Sequence, residues 1–134
     1  MKTILIVDDD IAVRTMMKIV LNENGFVTLE AENGSAAFTL ASEKQPHLII
    51  SDVMMDNMNG FMLLEMLRKD LTTRRIPVML ITGAAQKYGA WDSEKKVGYF
   101  QKPLSMDDLL TAVRKRLRVK SSNELKRKPR KKPK

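Results

Sequence analysis

An α/β fold is predicted for this chain, a parallel sheet of five strands covered by helices, and three observations carry that prediction. The apolar runs at 4–7, 48–50 and 78–81 show no alternation with polar residues. Strands of that kind bury both faces, as strands in parallel sheets do. Helical patterns alternate with the apolar runs five times, which is the order that builds a sheet between two helix layers. The strand ends carry polar residues: Asp8 and Asp9, Asp52, Thr82 and Lys102. Right-handed crossovers bring all carboxyl ends of the strands to one edge, and ligands of open α/β sheets bind there.

Each element follows from local signals. Ile4 to Val7 are mostly β-branched and read as a buried strand running into Asp8-Asp9-Asp10. A helix is expected over 12–24, with Val13, Met16, Met17, Val20 and Leu21 on one face and Gly25 as its stop. Asp10 reads as a solvated helix cap. Residues 26–29 form a weaker second strand, Asn33-Gly34 a turn, and 36–42 a second helix ended before Pro46. The strand at 48–52 ends on Asp52, and the chain turns before a third helix over 61–71, with Leu63, Leu64 and Leu67 inward. A fourth strand over 76–81 carries Pro77 near its start, where a missing N–H is tolerated. Residues 84–97 have no clear pattern: 84–87 suit a helix, but Gly89 interrupts. A short strand over 98–101 leads into Lys102-Pro103. Ser105 caps the last helix, with Asp107 and Asp108 in its first turn and Leu109, Leu110, Val113 and Leu117 inside.

At 134 residues one domain is expected, with a sizeable core. The absence of Cys excludes disulfides and thiolate metal sites. No apolar run is long enough to span a membrane and no signal peptide precedes the first strand, so a soluble cytoplasmic protein is expected. The net charge of +8 divides unevenly: residues 114–134 hold 12 Lys/Arg against Glu124 alone, while residues 1–113 carry −3. A folded body over 1–119 and a flexible basic tail over 120–134 are the expected divisions. The tail suits electrostatic contact with a polyanion such as nucleic acid, an anionic membrane or an acidic partner.

The convergence of the strand ends dictates a chemistry. Carboxylates about 5 Å apart repel by about 3 kcal/mol per pair at an effective dielectric of 20. Proton uptake or a cation must offset this. Mg²⁺ suits a site with few carboxylates, because it keeps several waters and leaves positions for phosphoryl oxygens. Lys102 adds a mobile charge and Thr82 a hydroxyl donor. With a carboxylate nucleophile, these are the parts needed for phosphoryl transfer to an aspartate.

On four motifs the chain resembles the CheY-like receiver domains of bacterial two-component response regulators. These are Asp8-Asp9, the Asp52 segment with Met55 and Gly60, Thr82 followed by Gly83, and Lys102-Pro103, within residues 2–118. The resemblance implies a flavodoxin-like three-layer sandwich with strand order 2-1-3-4-5 and five helices. It implies that Asp52 accepts phosphate from a sensor histidine kinase or phosphotransfer protein, that Asp8, Asp9 and Asp52 with the Met54 carbonyl hold Mg²⁺, and that Thr82 and Lys102 bind the phosphoryl oxygens. Tyr99 would be the aromatic switch and the Lys102–Pro103 bond cis. Such a domain catalyses only its own phosphorylation and dephosphorylation, controls a downstream protein target, and can dimerise on phosphorylation.

Three departures from the family pattern stand out: Asp56 in place of the usual Pro, Met at position 54, and a stretch from 82 to 102 about two residues short, which implies a short or displaced fourth helix. Met54 and Ala84 flank the path of the hydrolytic water in this family, and neither can orient one, which implies slow self-dephosphorylation. His47 is expected at the surface without a metal role, and Met54, Met55 and Met58 as core or lid packing. Two other readings compete. A Mg²⁺-dependent haloacid-dehalogenase-type phosphatase would use Asp8 and Asp10, but Ala12 departs from its motif and no sequence is left for a cap. A degenerate receiver used as a scaffold would not need the acids, Thr82 and Lys102 all present.

Overall fold

The computed structural model describes residues 1–55, 58–83, 91–92 and 96–118. Five parallel strands form its centre: β1 (Thr3–Val7), β2 (Val27–Ala31), β3 (Leu48–Asp52), β4 (Val78–Thr82) and β6 (Val97–Gln101). A two-residue strand, β5 (Trp91–Asp92), adds antiparallel to β6. The sheet order is β2-β1-β3-β4-β6-β5. The five parallel strands thus follow the expected flavodoxin-like order, and β5 extends the sheet beyond it.

Period-two geometry turns the unbroken apolar runs into two cores. Ile4, Ile6, Leu48, Ile50, Met79 and Ile81 face one side, against Met17 and Leu21 of α1 (Ile11–Glu23) and Leu109 and Val113 of α4 (Met106–Leu117). Leu5, Val7, Ile49, Val78 and Leu80 face the other, against Ala37 and Ala41 of α2 (Gly34–Lys44) and Leu63 and Leu67 of α3 (Gly60–Lys69). All of these are buried. The central strands β3 and β4 are buried at every position, whereas β2 sits at a sheet edge and is buried only at Ala31. That edge position explains its weak apolar signal in the sequence.

The helix starts are set by short polar side chains. Asp10, Asn33, Asn59 and Ser105 each accept hydrogen bonds from N–H groups of the first turn, satisfying donors that the helix itself leaves open. Two expectations shift. Helix α3 ends at Lys69, and Leu71 is left 78% exposed beyond it. Asp70 redirects the chain there: its carboxylate accepts from the N–H and hydroxyl of Thr72, the local bonding that competes with a helix. Met16 is 54% exposed rather than inward. It lines an open hollow of about 510 Å³ with Val13, Met17, Leu104 and Met106.

Four helices occur among the described residues. The expected helical start at 84–87, the turn residue Asp56 and the tail from 120 lie outside the described residues. Among the described residues, no helix is long and apolar enough to cross a membrane.

Candidate functional site at the carboxyl edge

The carboxyl ends of β1, β3, β4 and β6 bring together Asp8, Asp52, Thr82 and Lys102. Asp8 follows β1 and Asp52 closes β3. With Asp9 they form a cluster in which one carboxylate oxygen from each residue lies within 4.8 Å of those of the other two. Asp8 and Asp52 are buried and Asp9 is exposed, so the cluster opens to solvent on one side. Lys102 Nζ contacts Asp52 Oδ2 at 2.9 Å. Thr82 is buried at the end of β4, and its carbonyl accepts from the Lys102 N–H at 2.7 Å. The Lys102–Pro103 bond is cis.

Backbone donors fix the two buried carboxylates. The Asp10 N–H donates to Asp8 Oδ1 at 2.9 Å, and the Met54 N–H to Asp52 Oδ1 at 3.3 Å. Asp10 itself caps α1, and among the described residues it is not part of the carboxylate cluster. Burial, with the charges of Asp52 and Asp9, pushes the Asp8 carboxyl above its ordinary value of 3.8, against the Asp10 hydrogen bond and the Lys102 charge. One lysine therefore leaves negative charge in this cluster uncompensated. Three hard oxygen donors with an open, wet side fit a divalent cation that retains waters. Asp8, Asp9 and Asp52 can hold such an ion.

The residues around the cluster divide less uniformly. Met54 is 73% exposed at the rim, so it is not core; Met55 and Met58 pack partly buried against the α2–α3 side. Tyr99 is half-buried on β6, its ring centroid 6.4 Å from that of Phe61. His47 is exposed and accepts the Thr3 N–H on Nδ1 at 2.9 Å.

Two supports are not legible from residue types alone. Arg14 donates to the Asp8 carbonyl at 2.6 Å and pairs with Glu30 at 3.5 Å, bracing the β1–α1 turn. Its spacing six residues after Asp8 carries no motif; only the folding of α1 back over β1 brings it there. Gly60 lies so close to β3 that a Cβ would stand 2.7 Å from the Asp52 carbonyl oxygen. The sequence marks Gly60 within the Asp52 segment, but not its approach to β3.

A family model described as the response regulator receiver domain matches residues 4–114. Among similar proteins, sporulation initiation phosphotransferase F of Bacillus subtilis is 32% identical over 89% of this chain and 96% of its own length. The DNA-binding dual master transcriptional regulator RpaA of Synechocystis is 36% identical over 88% of this chain, which spans only half of that protein. The receiver domain of a signal transduction histidine kinase from Syntrophus aciditrophicus superposes with a TM-score of 0.75 at 30% identity, covering 96% of each chain. The acid cluster at the carboxyl edge of a 2-1-3-4-5 sheet and these matches lead to one conclusion: the chain belongs to the response regulator receiver domains, the phosphoacceptor signalling modules of two-component systems.

Proposed function

We propose that Asp52 is the phosphoacceptor, receiving its phosphoryl group from a phosphohistidine of a sensor kinase or phosphotransfer protein. The observation that supports this most is the pairing of Lys102 with Asp52, 2.9 Å apart, beside two further carboxylates. In the step, a carboxylate oxygen of Asp52 attacks phosphorus, the P–N bond to histidine breaks, and an acyl phosphate forms. Asp8, Asp9 and Asp52 with the Met54 carbonyl would hold Mg²⁺, which would neutralise charge on the transferring group. Lys102 is placed to pass its charge from the Asp52 carboxylate to a phosphoryl oxygen, and Thr82 to offer its hydroxyl to another. Tyr99 is the aromatic element that repacks on phosphorylation.

The domain acts on no other substrate and turns over only its own acyl phosphate. Its partners are the phosphodonor and a downstream protein target in the cytoplasm. The hollow beside Asp8 and Lys102, walled by Met16, Met17 and Met106, offers the donor a pliable apolar seat. Residues 1–119 form the receiver and 120–134 a basic tail that contacts polyanions; phosphorylation also favours a dimer.

The test is intact mass after incubation with acetyl phosphate and Mg²⁺. The wild type should gain one phosphoryl group, and Asp52→Asn and Asp9→Ala should gain none while keeping a cooperative melt. Phosphate mapped to Asp8, or full phosphorylation of Asp9→Ala, would overturn the assignment and favour the phosphatase-like use of the first carboxylate.

A further inference from the structure

A second cavity lies at the opposite edge of the sheet. It measures about 520 Å³ and is walled by the cations Arg68, Arg74, Arg75 and Lys96. Arg74 and Arg75 belong to the turn before β4, and Lys96 immediately precedes β6. All three therefore sit at amino ends of strands, away from Asp52.

The cavity is built rather than incidental. The Lys96 carbonyl accepts from the Val78 N–H at 2.9 Å and from Arg68 at 3.1 Å. These bonds fix Arg68 as the half-buried back wall. Burial holds the Arg68 guanidinium below its ordinary value. The nearby acids on the same stretch are engaged elsewhere: Glu65 pairs with Lys69 at 2.9 Å, and Asp70 bonds Thr72. No acid lines the cavity among the described residues. Among the described residues, its remaining wall is Leu64, Val97 and the half-buried Tyr99.

Guanidinium forks match phosphate oxygens two at a time, and an aromatic face suits a planar base. A cavity of this size is in the range of small-molecule sites. We propose that it binds a nucleoside phosphate, with the phosphates on Arg74, Arg75 and Lys96 and the base against Tyr99 and Leu64. Apart from Tyr99, which it shares with the proposed switch, this site is separate from the phosphoacceptor and does not depend on that reading.

The experiment titrates the full-length, unphosphorylated protein with ATP and with inorganic pyrophosphate, followed by calorimetry and by the amide resonances of Val97 and Tyr99. ATP should shift both resonances and bind several-fold more tightly than pyrophosphate. Arg74→Gln/Arg75→Gln removes exposed charges, should leave the melting temperature unchanged, and should weaken ATP about tenfold, the equivalent of about 1.4 kcal/mol. Lys96→Gln should weaken it as well. Lys131→Gln/Lys132→Gln, in the basic tail, should leave the affinity within about twofold, since the proposal puts the phosphates on Arg74, Arg75 and Lys96 alone. Unshifted Val97 and Tyr99 resonances at millimolar ATP would overturn the proposal. So would pyrophosphate binding as tightly as ATP, or binding lost in the tail variant and kept in the arginine variant.

Discussion

At Asp8, burial and the neighbouring carboxylates act in the same direction, disfavouring the charged form of a group that metal binding would require charged. Asp8→Asn keeps an oxygen to accept the Asp10 N–H but removes the charge. In metal-free buffer at neutral pH the variant should melt higher than the wild type. The native carboxyl titrates above its ordinary value, so the folded protein takes up its proton first as pH falls. The penalty is present above the native value and is relieved as pH falls through it towards 3.8. The advantage of Asp8→Asn should accordingly shrink on acidification; thermal melts across that range check it, and a growing advantage would reverse the sign. Met54 bears on the lifetime of the signal. It is 73% exposed beside Asp52, and a thioether cannot orient water for attack on phosphorus. Met54→Asn combined with Ala84→Glu should speed loss of phosphate about tenfold or more, measured by decay of the phosphorylated mass; an equal rate would mean that water enters by another route.

At the scale of elements, the connection from β3 to α3 holds Asp52 in place. Val53 N–H donates to the Ile81 carbonyl, and Gly60 N–H donates to the Val53 carbonyl, both at 2.9 Å. The helix start is thereby drawn against the end of the strand. A methyl at position 60 would meet backbone, the Asp52 carbonyl oxygen at 2.7 Å, which cannot swing aside as a side chain can. Gly60→Ala should therefore destabilise by about 2 kcal/mol, a fall of several degrees in melting temperature, and should also slow phosphorylation by displacing Asp52. Differential scanning calorimetry with the mass assay checks both, and an unchanged melt would show that the connection can relax.

Across the whole molecule, charge is segregated. The carboxyl edge holds Asp8, Asp9 and Asp52, whereas residues 114–134 carry +11. The inner face of α4 is complete at Val113, with Leu117 packed at its margin, and within residues 121–134 Leu125 is the only large apolar residue. Removing residues 121–134 should leave the melting temperature and phosphorylation nearly unchanged, because little apolar area is lost. Binding to heparin or DNA, in contrast, should fall sharply on truncation and, in the full chain, weaken steeply with added salt. Melting and salt titration of the truncated and full chains test this; a drop of many degrees on truncation would show that the tail packs.

The sequence by itself determined the five parallel strands, their burial and the edge at which the chemistry collects, but not β5. Unbroken runs such as 4–7 and 48–50 have nowhere to bury both faces except a covered parallel sheet, and polar residues closing them must then share its carboxyl edge. It also determined the acid pair, Asp52, Thr82 and Lys102 as a set, since residue type and order are local information. The tertiary structure alone decided the distances: the 4.8 Å span of the carboxylates and the Lys102–Asp52 contact across fifty residues depend on strand order and register. It decided that Met16, placed inward by helical periodicity, faces an open hollow, because periodicity reports direction but not what stands opposite. It decided the bracing of Asp8 by Arg14 and the close approach of Gly60 to β3. Contacts between backbones and between residues distant in sequence leave no period in a chain; they exist only once the elements have packed.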